Sequence, residues 1–250
     1  MFFYAPPNFI VKLNDSGVTQ CTNDGTTLVA CLAANTGNAA AYPRQDARFG
    51  RDAAQAEGKL LPAKTGGGAA GFDFTPLDAS GNAIALTGTP PVPSATPTCI
   101  HDNVTNLTWE VKTSSDLRSN AHTYTWYNGR TGNLGSNSSC DGTLSAYADQ
   151  CNTYNYALAV NAAGLCGAHS PWRVPTRREL LSLVHHGIAS SSFPSIDLDY
   201  FPNTDSNEFW ASDVNAFSTN DAWYINFYDG GTGADGQNSN FHVRLVRSGQ

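Results

Sequence analysis

The chain has few charged residues. They make up 14% of the 250 residues, and the net charge is −7, whereas an average globular protein has about 25% charged residues. No cluster of basic residues is longer than Arg177-Arg178. The sequence therefore lacks the cationic face with which a nucleic-acid binder neutralises phosphates. We expect neither a nucleic-acid partner nor an anionic membrane partner.

Long apolar runs are also missing, since no segment approaches the roughly 20 apolar residues of a membrane span. The start of the chain, Phe2 to Ile10, is apolar but short, and Pro6-Pro7 interrupts it. It lacks the basic start and the full apolar core of a secretory signal. Two interpretations stay open: the sequence begins after a signal that was removed, or this segment pairs with a neighbouring chain and causes self-association.

Common catalytic signatures do not occur, neither G-x-S-x-G nor H-E-x-x-H nor a P-loop. Residues 66–71 match G-x-G-x-x-G by their letters, but no predicted strand precedes them and no predicted helix follows, so they indicate a loop. His185 and His186 are adjacent and would point in different directions on a helix, which makes a poor metal pair. We expect no enzymatic activity and no cofactor.

Six cysteines occur, none at the C-x-x-C spacing of zinc or redox sites. Their even number favours disulfides and an oxidising compartment, so we expect an extracellular or cell-surface location. The alternative is free buried cysteines in a cytosolic protein. Many pairings are open; we favour Cys21–Cys31, Cys140–Cys151 and Cys99–Cys166.

Residues 1–98 have weak periodicity and are predicted to be a loop-rich extension. A hairpin is predicted over residues 18–31, with its turn at Asn23-Asp24-Gly25. Gln45 to Lys59 is predicted to form one short helix. Thr89 to Pro97 contains four prolines and indicates a linker.

Residues 99–250 have clearer patterns. A strand is predicted over Asn106 to Lys112, with Leu107, Trp109 and Val111 alternating against polar neighbours. A helix is predicted over Ala146 to Leu165. Residues at helical spacing would form its buried face: Tyr147, Cys151, Tyr154, Leu158 and Ala162.

A second helix is predicted to begin at Thr176, because Glu179 three residues later completes a capping box. Leu180, Leu183 and Val184 would be buried, and Gly187 would end the helix in a left-handed conformation.

Three strands are predicted after this helix, over Glu208 to Ser212, Ala222 to Tyr228 and Phe241 to Arg247, the last with Val243 and Leu245 inward. In the second strand, alternation places Trp223, Ile225 and Phe227 inward and Tyr224, Asn226 and Tyr228 outward. Two helices with short strands and long polar loops indicate an α+β domain.

Five ordered motifs resemble the Lcl C-terminal domain family of bacterial surface and secreted proteins, over residues 99–250. They are Asp102-Asn103 with Thr105, Leu107 and Trp109; Trp172-Arg173-Val174-Pro175-Thr176 with Glu179-Leu180; Phe209-Trp210-Ala211-Ser212; Ala222-Trp223-Tyr224-Ile225-Asn226-Phe227; and Val243-Arg244-Leu245-Val246-Arg247.

The resemblance implies a C-type-lectin-like fold with two helices and a small, mainly antiparallel, twisted sheet, preceded by a loop-rich region that carries disulfides. It also implies binding or adhesion to extracellular ligands, sometimes glycans. We interpret the signature residues as structural. Trp172 would fill the core, and Arg173 would pair with a carboxylate or with carbonyls.

A ligand surface is predicted in the last strands and loops, because tyrosines beside amides, hydroxyls and carboxylates suit protein or sugar recognition. A polar surface needed only for solubility is the alternative. The predicted residues are Trp210, Ser212, Asp213, Asn215, Tyr224, Asn226, Tyr228, Asp229, Asn238, Asn240 and His242.

Four acidic residues in a loop-rich stretch, Asp197, Asp199, Asp205 and Glu208, could supply oxygen ligands to Ca²⁺. The E-P-N and W-N-D triplets of calcium-dependent lectins do not occur. The alternative is an acidic, solvated loop.

The leading hypothesis is therefore a secreted or cell-surface module that binds an extracellular protein or glycan. One alternative is a structural subunit of an extracellular filament or appendage, held together through Phe2-Phe3-Tyr4 and the proline-rich leader. Another is the variable, ligand-displaying protein of a diversity-generating retroelement.

Overall fold

A computed structural model describes residues 14–22, 28–29, 46–60, 62–136, 139–167, 170–188 and 193–248. Its helices are α1 (Asp46–Phe49), α2 (Arg51–Ala56), α3 (Thr153–Ala162) and α4 (Arg177–Leu181), with a 3₁₀ turn at Ser145–Tyr147. Its strands are β1 (Cys21–Thr22), β2 (Leu28–Val29), β3 (Phe74–Leu77), β4 (Leu86–Thr87), β5 (Val92–Pro93), β6 (Cys99–Asp102), β7 (Leu107–Glu110), β8 (Glu208–Val214), β9 (Asp221–Asn226), β10 (Thr232–Gly236) and β11 (Val246–Ser248).

Two antiparallel sheets form the body of the protein. One has four strands in the order β11-β7-β6-β3, and the other has three in the order β10-β9-β8. The architecture is therefore α+β with few helices, as predicted. Strand β3 precedes residue 99 but pairs with β6, with Phe74 opposite Asp102, so part of the N-terminal region belongs to the main sheet.

The four-stranded sheet lies between two apolar clusters. Adjacent residues of β6 face opposite sides: Cys99 belongs to one cluster and Ile100 to the other, because strand side chains alternate. The first cluster contains Trp126, Tyr156 and Trp172. The second contains Phe72, Trp109, Leu180, Phe209 and Phe227.

Central strand β7 is covered on both faces, so the polar residues that alternate with Trp109 and Val111 are buried as well. Glu110 and Lys112 are both buried, and the Lys112 Nζ lies 3.2 Å from Glu110 Oε1. Lys112 also donates to the Tyr156 hydroxyl at 2.9 Å, and this hydroxyl donates to Glu110. Arg244 donates to the Glu110 carbonyl at 2.6 Å. These partners make it possible to bury the charges.

Helix α3 is shorter than predicted, and the predicted buried face was wrong. Ala148 and Asp149 have φ values of 55° and 52°, so the left-handed backbone there ends any helix from Ala146. The helix starts after Asn152, whose side chain accepts a hydrogen bond from Asn155 N. Its buried residues are Thr153, Asn155, Tyr156, Ala157 and Val160, whereas Tyr154 and Leu158 are 41% and 36% exposed.

Helix α4 has the predicted capping box between Thr176 and Glu179. Leu180, Leu183 and Val184 are buried, as predicted. The predicted end at Gly187 was wrong, because the C-cap is Ser182. Gly187 instead allows a close backbone approach, since a Cβ there would lie 2.0 Å from the Gly17 carbonyl oxygen.

Three predictions for the N-terminal region had different outcomes. Strands β1 and β2 pair with Cys21 opposite Val29, which agrees with the predicted hairpin, although its turn lies outside the described residues. The predicted helix from Gln45 is split at Gly50 into α1 and α2. The predicted linker from Thr89 to Pro97 contains strand β5, paired with β4 in a small hairpin.

The strands after α4 lie near their predicted positions. Strand β8 extends two residues beyond the predicted end, to Val214, and β9 begins one residue early, at Asp221. The last predicted strand is reduced to β11, although Val243 and Leu245 are buried as predicted. In the described part of the chain, no helix has the length and apolar character needed to cross a membrane.

Two disulfides confirm predicted pairs, Cys99–Cys166 and Cys140–Cys151, which join residues 67 and 11 positions apart. Cys21 is also disulfide-bonded, but its predicted partner, Cys31, lies outside the described residues. The two described bridges hold β6 and the loop before α3 to the first apolar cluster, because all four cysteines belong to it.

Candidate functional site

A cleft of about 580 Å³ opens beside α3. Its lining comes from helix α3, from the segment between Pro171 and Thr176, and from loop residues 126 to 128. Its lining is mainly aromatic and aliphatic, which is typical of ligand pockets. The lining residues are Trp126, Tyr127, Asn128, Thr153, Tyr154, Ala157, Leu158, Asn161, Pro171, Trp172, Arg173, Val174, Thr176 and Ser212.

Helix α3 turns two large apolar side chains toward this cleft. Tyr154 and Leu158 are four residues apart and therefore lie on the same helix face. Both are partly exposed to solvent, at 41% and 36%. The Tyr127 ring stands edge-on to Tyr154, with the ring centres 6.0 Å apart. The cleft thus presents accessible aromatic and aliphatic surface that the fold itself does not cover.

Two of the lining residues are tryptophans whose rings are buried. Trp126 and Trp172 are 1% and 2% exposed. Their indole N–H groups donate to carbonyls of the protein, Trp126 to Ala211 at 2.8 Å and Trp172 to Leu165 at 3.1 Å. These bonds fix the orientation of the two indole rings.

Two polar side chains that line the cleft, Asn161 and Thr153, are paired with other groups of the protein. The Asn161 side chain accepts from Trp172 N at 2.7 Å and donates to the Trp172 carbonyl at 2.9 Å. The Thr153 hydroxyl donates to the Tyr127 carbonyl at 2.7 Å. A ligand therefore meets apolar surface rather than strong hydrogen-bonding groups in this part of the cleft.

Arg173 makes a forked ion pair with Glu179, at 2.8 and 2.6 Å. This hydrogen bonding raises the pKa of Arg173. Burial raises the pKa of Glu179, but hydrogen bonds from Arg173 and Thr176 outweigh it, so the pKa is lowered overall. The pair thus remains charged at neutral pH and connects the cleft wall to the start of α4.

Only part of the predicted ligand surface lies near this cleft. Ser212 lines it. The neighbouring Asp213 accepts a hydrogen bond from Arg177 N at 2.6 Å, and Asn215 accepts one from Phe217 N at 3.0 Å. These two side chains hold the start of α4 and the loop after β8.

A second group of predicted residues lies at the other end of the sheet. Asn226 donates to Glu208 at 3.2 Å, Tyr228 stacks on Phe193 with ring centres 3.9 Å apart, and Asp229 accepts from Gly231 N. Val214 pairs with Ala222 and Glu208 with Asn226, so the two groups are separated by four residues of β9, roughly 13 Å. The structure does not bring them into one site.

The remaining predicted residues differ in exposure. Trp210 is fully buried, with its indole N–H bonded to the Tyr124 carbonyl at 2.8 Å, so it forms no surface. His242 is also buried, and burial lowers its pKa. Asn238 and Asn240 are exposed beyond β10.

The predicted facing of β9 was partly wrong. Tyr224, predicted to face outward, is half-buried, with its ring edge-on to Phe241 at 5.2 Å. Trp223, predicted to face the core, is also only half-buried. Ile225 and Phe227 are buried, and Tyr228 is exposed, as predicted. Both faces of β9 are covered, so simple alternation does not separate inside from outside.

Three of the four predicted calcium ligands accept hydrogen bonds from different partners. Asp197 accepts from Ala69 N at 2.8 Å, Asp205 accepts from Asn207 at 2.8 Å, and Glu208 accepts from Asn226. Asp199 lies beside Asp197, to which its N–H donates. Within the ranges that the structure describes, no group of three or more metal-ligating side chains occurs.

Comparison with known proteins decides the family. The sequence model of the family described as the Lcl C-terminal domain matches residues 98–247 of this chain. The chain belongs to the Lcl C-terminal domain family. No match was found to a curated protein or to a solved structure.

In this Lcl C-terminal domain the signature residues have the expected structural roles. Trp172 is buried, Arg173 pairs with a carboxylate, and Thr176 and Glu179 cap α4. The same segment also forms one wall of the cleft, which sequence reasoning missed. Membership indicates a surface-associated domain, and the disulfides fit an oxidising compartment.

Proposed function

We propose that this chain is a secreted or cell-surface adhesion module, without enzymatic activity, that binds an extracellular protein or glycan in the cleft beside α3. The observation that carries the proposal is the exposure of Tyr154 and Leu158 inside a concave, aromatic-lined surface. Exposed apolar surface in a concavity usually marks an interaction site.

The geometry of the cleft favours binding over catalysis. Its acidic neighbour Glu179 is engaged by Arg173 and Thr176, and its indole N–H groups are bonded to carbonyls. A side chain that acts as a general acid, a general base or a nucleophile must be free to reach the substrate. The cleft instead supplies apolar surface for contact.

Two ligand classes suit these walls. The rings of Tyr127 and Tyr154 can stack on the apolar face of a sugar or pack against the side chains of a protein. Asn128 and Ser212, which also line the cleft, can add polar contacts to either ligand. The proposed C-type-lectin-like fold is supported by the ordered family motifs and by the antiparallel sheets with disulfides.

The test is a parallel screen of the full chain against a glycan array and purified extracellular-matrix proteins. The cleft variant carries Tyr154→Ala with Leu158→Ser. The matched control is Leu198→Ser, since Leu198 is 45% exposed but lies outside the cleft. We expect about tenfold weaker binding of any selected ligand by the cleft variant, a loss of about 1.4 kcal/mol, and no change for the control. Equal binding by all three proteins would contradict the proposal.

A further inference from the structure

The first thirteen residues form the most apolar end of this chain. Residues 1–13 include Phe2, Phe3, Tyr4 and Phe9, and their single charged side chain is Lys12. Apolar side chains that a chain does not bury in its own core are commonly covered by a partner.

We propose that the cleft of one copy binds residues 1–13 of a second copy, so that copies of this chain assemble through donated segments. This inference rests on the proposed function, because it uses the same cleft. It goes further by naming the partner.

The chemistry of the two surfaces is complementary. Pro6 and Pro7 fix their own φ angles and favour an extended, polyproline-like segment. Segments of this type bind in grooves lined by aromatic rings, and the cleft presents Tyr127, Tyr154 and Trp172. Because Asn161 and Thr153 are already paired within the protein, apolar side chains can pack beside them without leaving them unsatisfied.

The path of the chain favours a second copy over the same one. The described chain starts where Asn14 donates to Asp102 at 2.9 Å and Asp15 accepts from Arg51 N at 2.8 Å. Ser16 accepts from His186 N at 2.8 Å, and His185 packs against Phe72 of the second apolar cluster. The cleft adjoins Trp172 of the first cluster, on the other side of the four-stranded sheet.

Thirteen extended residues span at most about 45 Å. A segment of this length is long enough to extend beyond the subunit that carries it, as the proposed contact requires. The donor segment and the acceptor cleft are different surfaces, so the contact is head-to-tail and can be repeated along an open row of subunits.

Two full-length variants separate the two halves of this contact. The donor variant carries Phe2→Ser, Phe3→Ser and Phe9→Ser and keeps its cleft. The acceptor variant carries Tyr154→Ala with Leu158→Ser and keeps its segment. In sedimentation velocity, wild type should form oligomers that grow with concentration, and each variant alone should be a monomer. An equimolar mixture should form a one-to-one dimer that grows no further, because only one productive contact remains.

A labelled synthetic peptide of residues 1–13 supplies a direct readout. It should bind the donor variant, whose cleft is intact and empty of donor segments, about tenfold more tightly than the acceptor variant. The Leu198→Ser control should behave as wild type in both experiments.

A monomeric wild type, or an acceptor variant that keeps the wild-type oligomer mass, would overturn the inference. If that acceptor variant still loses a ligand selected in the screen, the proposed function stands without self-assembly. If it loses neither, both proposals fail.

Discussion

The guanidinium carbon of Arg177 lies 4.0 Å from the centre of the Trp223 indole ring. Trp223 is therefore covered by the first residue of α4 rather than by the apolar core. The opposite face of β9 carries Ala222 and Tyr224, which pack against the first cluster. Sequence alternation alone would place Trp223 inside and Tyr224 outside, whereas both are half-buried.

Replacing Trp223 should cost less than replacing a tryptophan of the core. We expect Trp223→Ala to lower the free energy of unfolding by about 1–2 kcal/mol, because the substitution removes only a partly exposed ring and its cation–π contact with Arg177. Trp172→Ala should cost about 3–5 kcal/mol, because that ring is buried. Urea denaturation of both variants measures the difference, and equal losses would show that the position assigned to Trp223 is wrong.

Replacing Tyr154 and replacing Tyr156, both in α3, should have different effects on stability. Tyr156 is buried, stacks on Tyr124 with ring centres 4.6 Å apart and bonds to Lys112. Tyr156→Ala should cost about 3–5 kcal/mol. Tyr154→Ala should cost about 0.5 kcal/mol, as exposed substitutions usually do. Thermal and urea unfolding check this contrast. A larger loss of stability for Tyr154→Ala than for Tyr156→Ala would show that the buried face of α3 is the one predicted from sequence.

The capping carboxylate of α4 should make stability depend on acid pH. The pKa of Glu179 is lowered below 4.5 overall, since hydrogen bonds from Arg173 and Thr176 outweigh the effect of burial. The stabilisation that the Glu179 carboxylate gives the folded protein is therefore complete above about pH 4.5. It is lost as the pH falls through the lowered folded-state pKa. Glu179→Gln should cost about 1 kcal/mol at pH 7.

As the pH falls toward the folded-state pKa, Glu179→Gln and wild type should become more similar in stability, as free energies of unfolding at pH 7 and at the lowest pH at which the protein stays folded would show. Glu57→Gln is the control, because the Glu57–Lys59 pair is exposed. A constant difference between Glu179→Gln and wild type at both pH values would rule out the role of the carboxylate charge.

Lys112 should make stability rise at alkaline pH. Burial lowers its pKa from 10.5 to about 8, although Glu110 beside it opposes the shift. The folded protein then releases this proton near pH 8, whereas the unfolded chain keeps it until about pH 10.5. Since the unfolded state binds more protons in this window, stability increases across it. Lys112→Met should remove that increase, whereas exposed Lys59→Met should not; unfolding free energies at pH 7, 8, 9 and 10 measure it.

Each described disulfide should contribute according to the loop that it closes. Cys99→Ser with Cys166→Ser should cost about 4 kcal/mol, and Cys140→Ser with Cys151→Ser about 3 kcal/mol, because the longer loop restricts the unfolded chain more. Mass mapping of the wild-type chain without reductant should recover both pairs. Alkylation of Cys99 or Cys140 in the native protein would contradict the pairing and the oxidising compartment.

Local signals predicted the parts of the fold that depend on neighbouring residues. The Thr176–Glu179 capping box is the clearest example, because both hydrogen bonds form within one turn. The face of α3 could not be predicted in this way. Its buried Thr153 bonds to the carbonyl of Tyr127, 26 residues away in sequence, and such a partner becomes a neighbour only after folding.

The cleft was missed for a related reason. Tyr127, Tyr154 and the segment around Trp172 are far apart in sequence and meet only in the folded chain. One signal was present: α3 carries large apolar residues on more than one side, with Tyr154 and Leu158 in addition to Tyr156 and Val160. A helix can bury only one such face in its own core, so the other face remains available to a partner.

Hydrogen–deuterium exchange of the full chain, with and without the glycan or matrix protein selected in the screen, tests the binding site most directly. A ligand in the cleft should slow exchange in α3 and in residues 171–176, and leave the turn at Tyr228 and Asp229 unchanged. Slower exchange at that turn, with α3 unchanged, would contradict the cleft as the binding site and would instead support the surface predicted from the last strands.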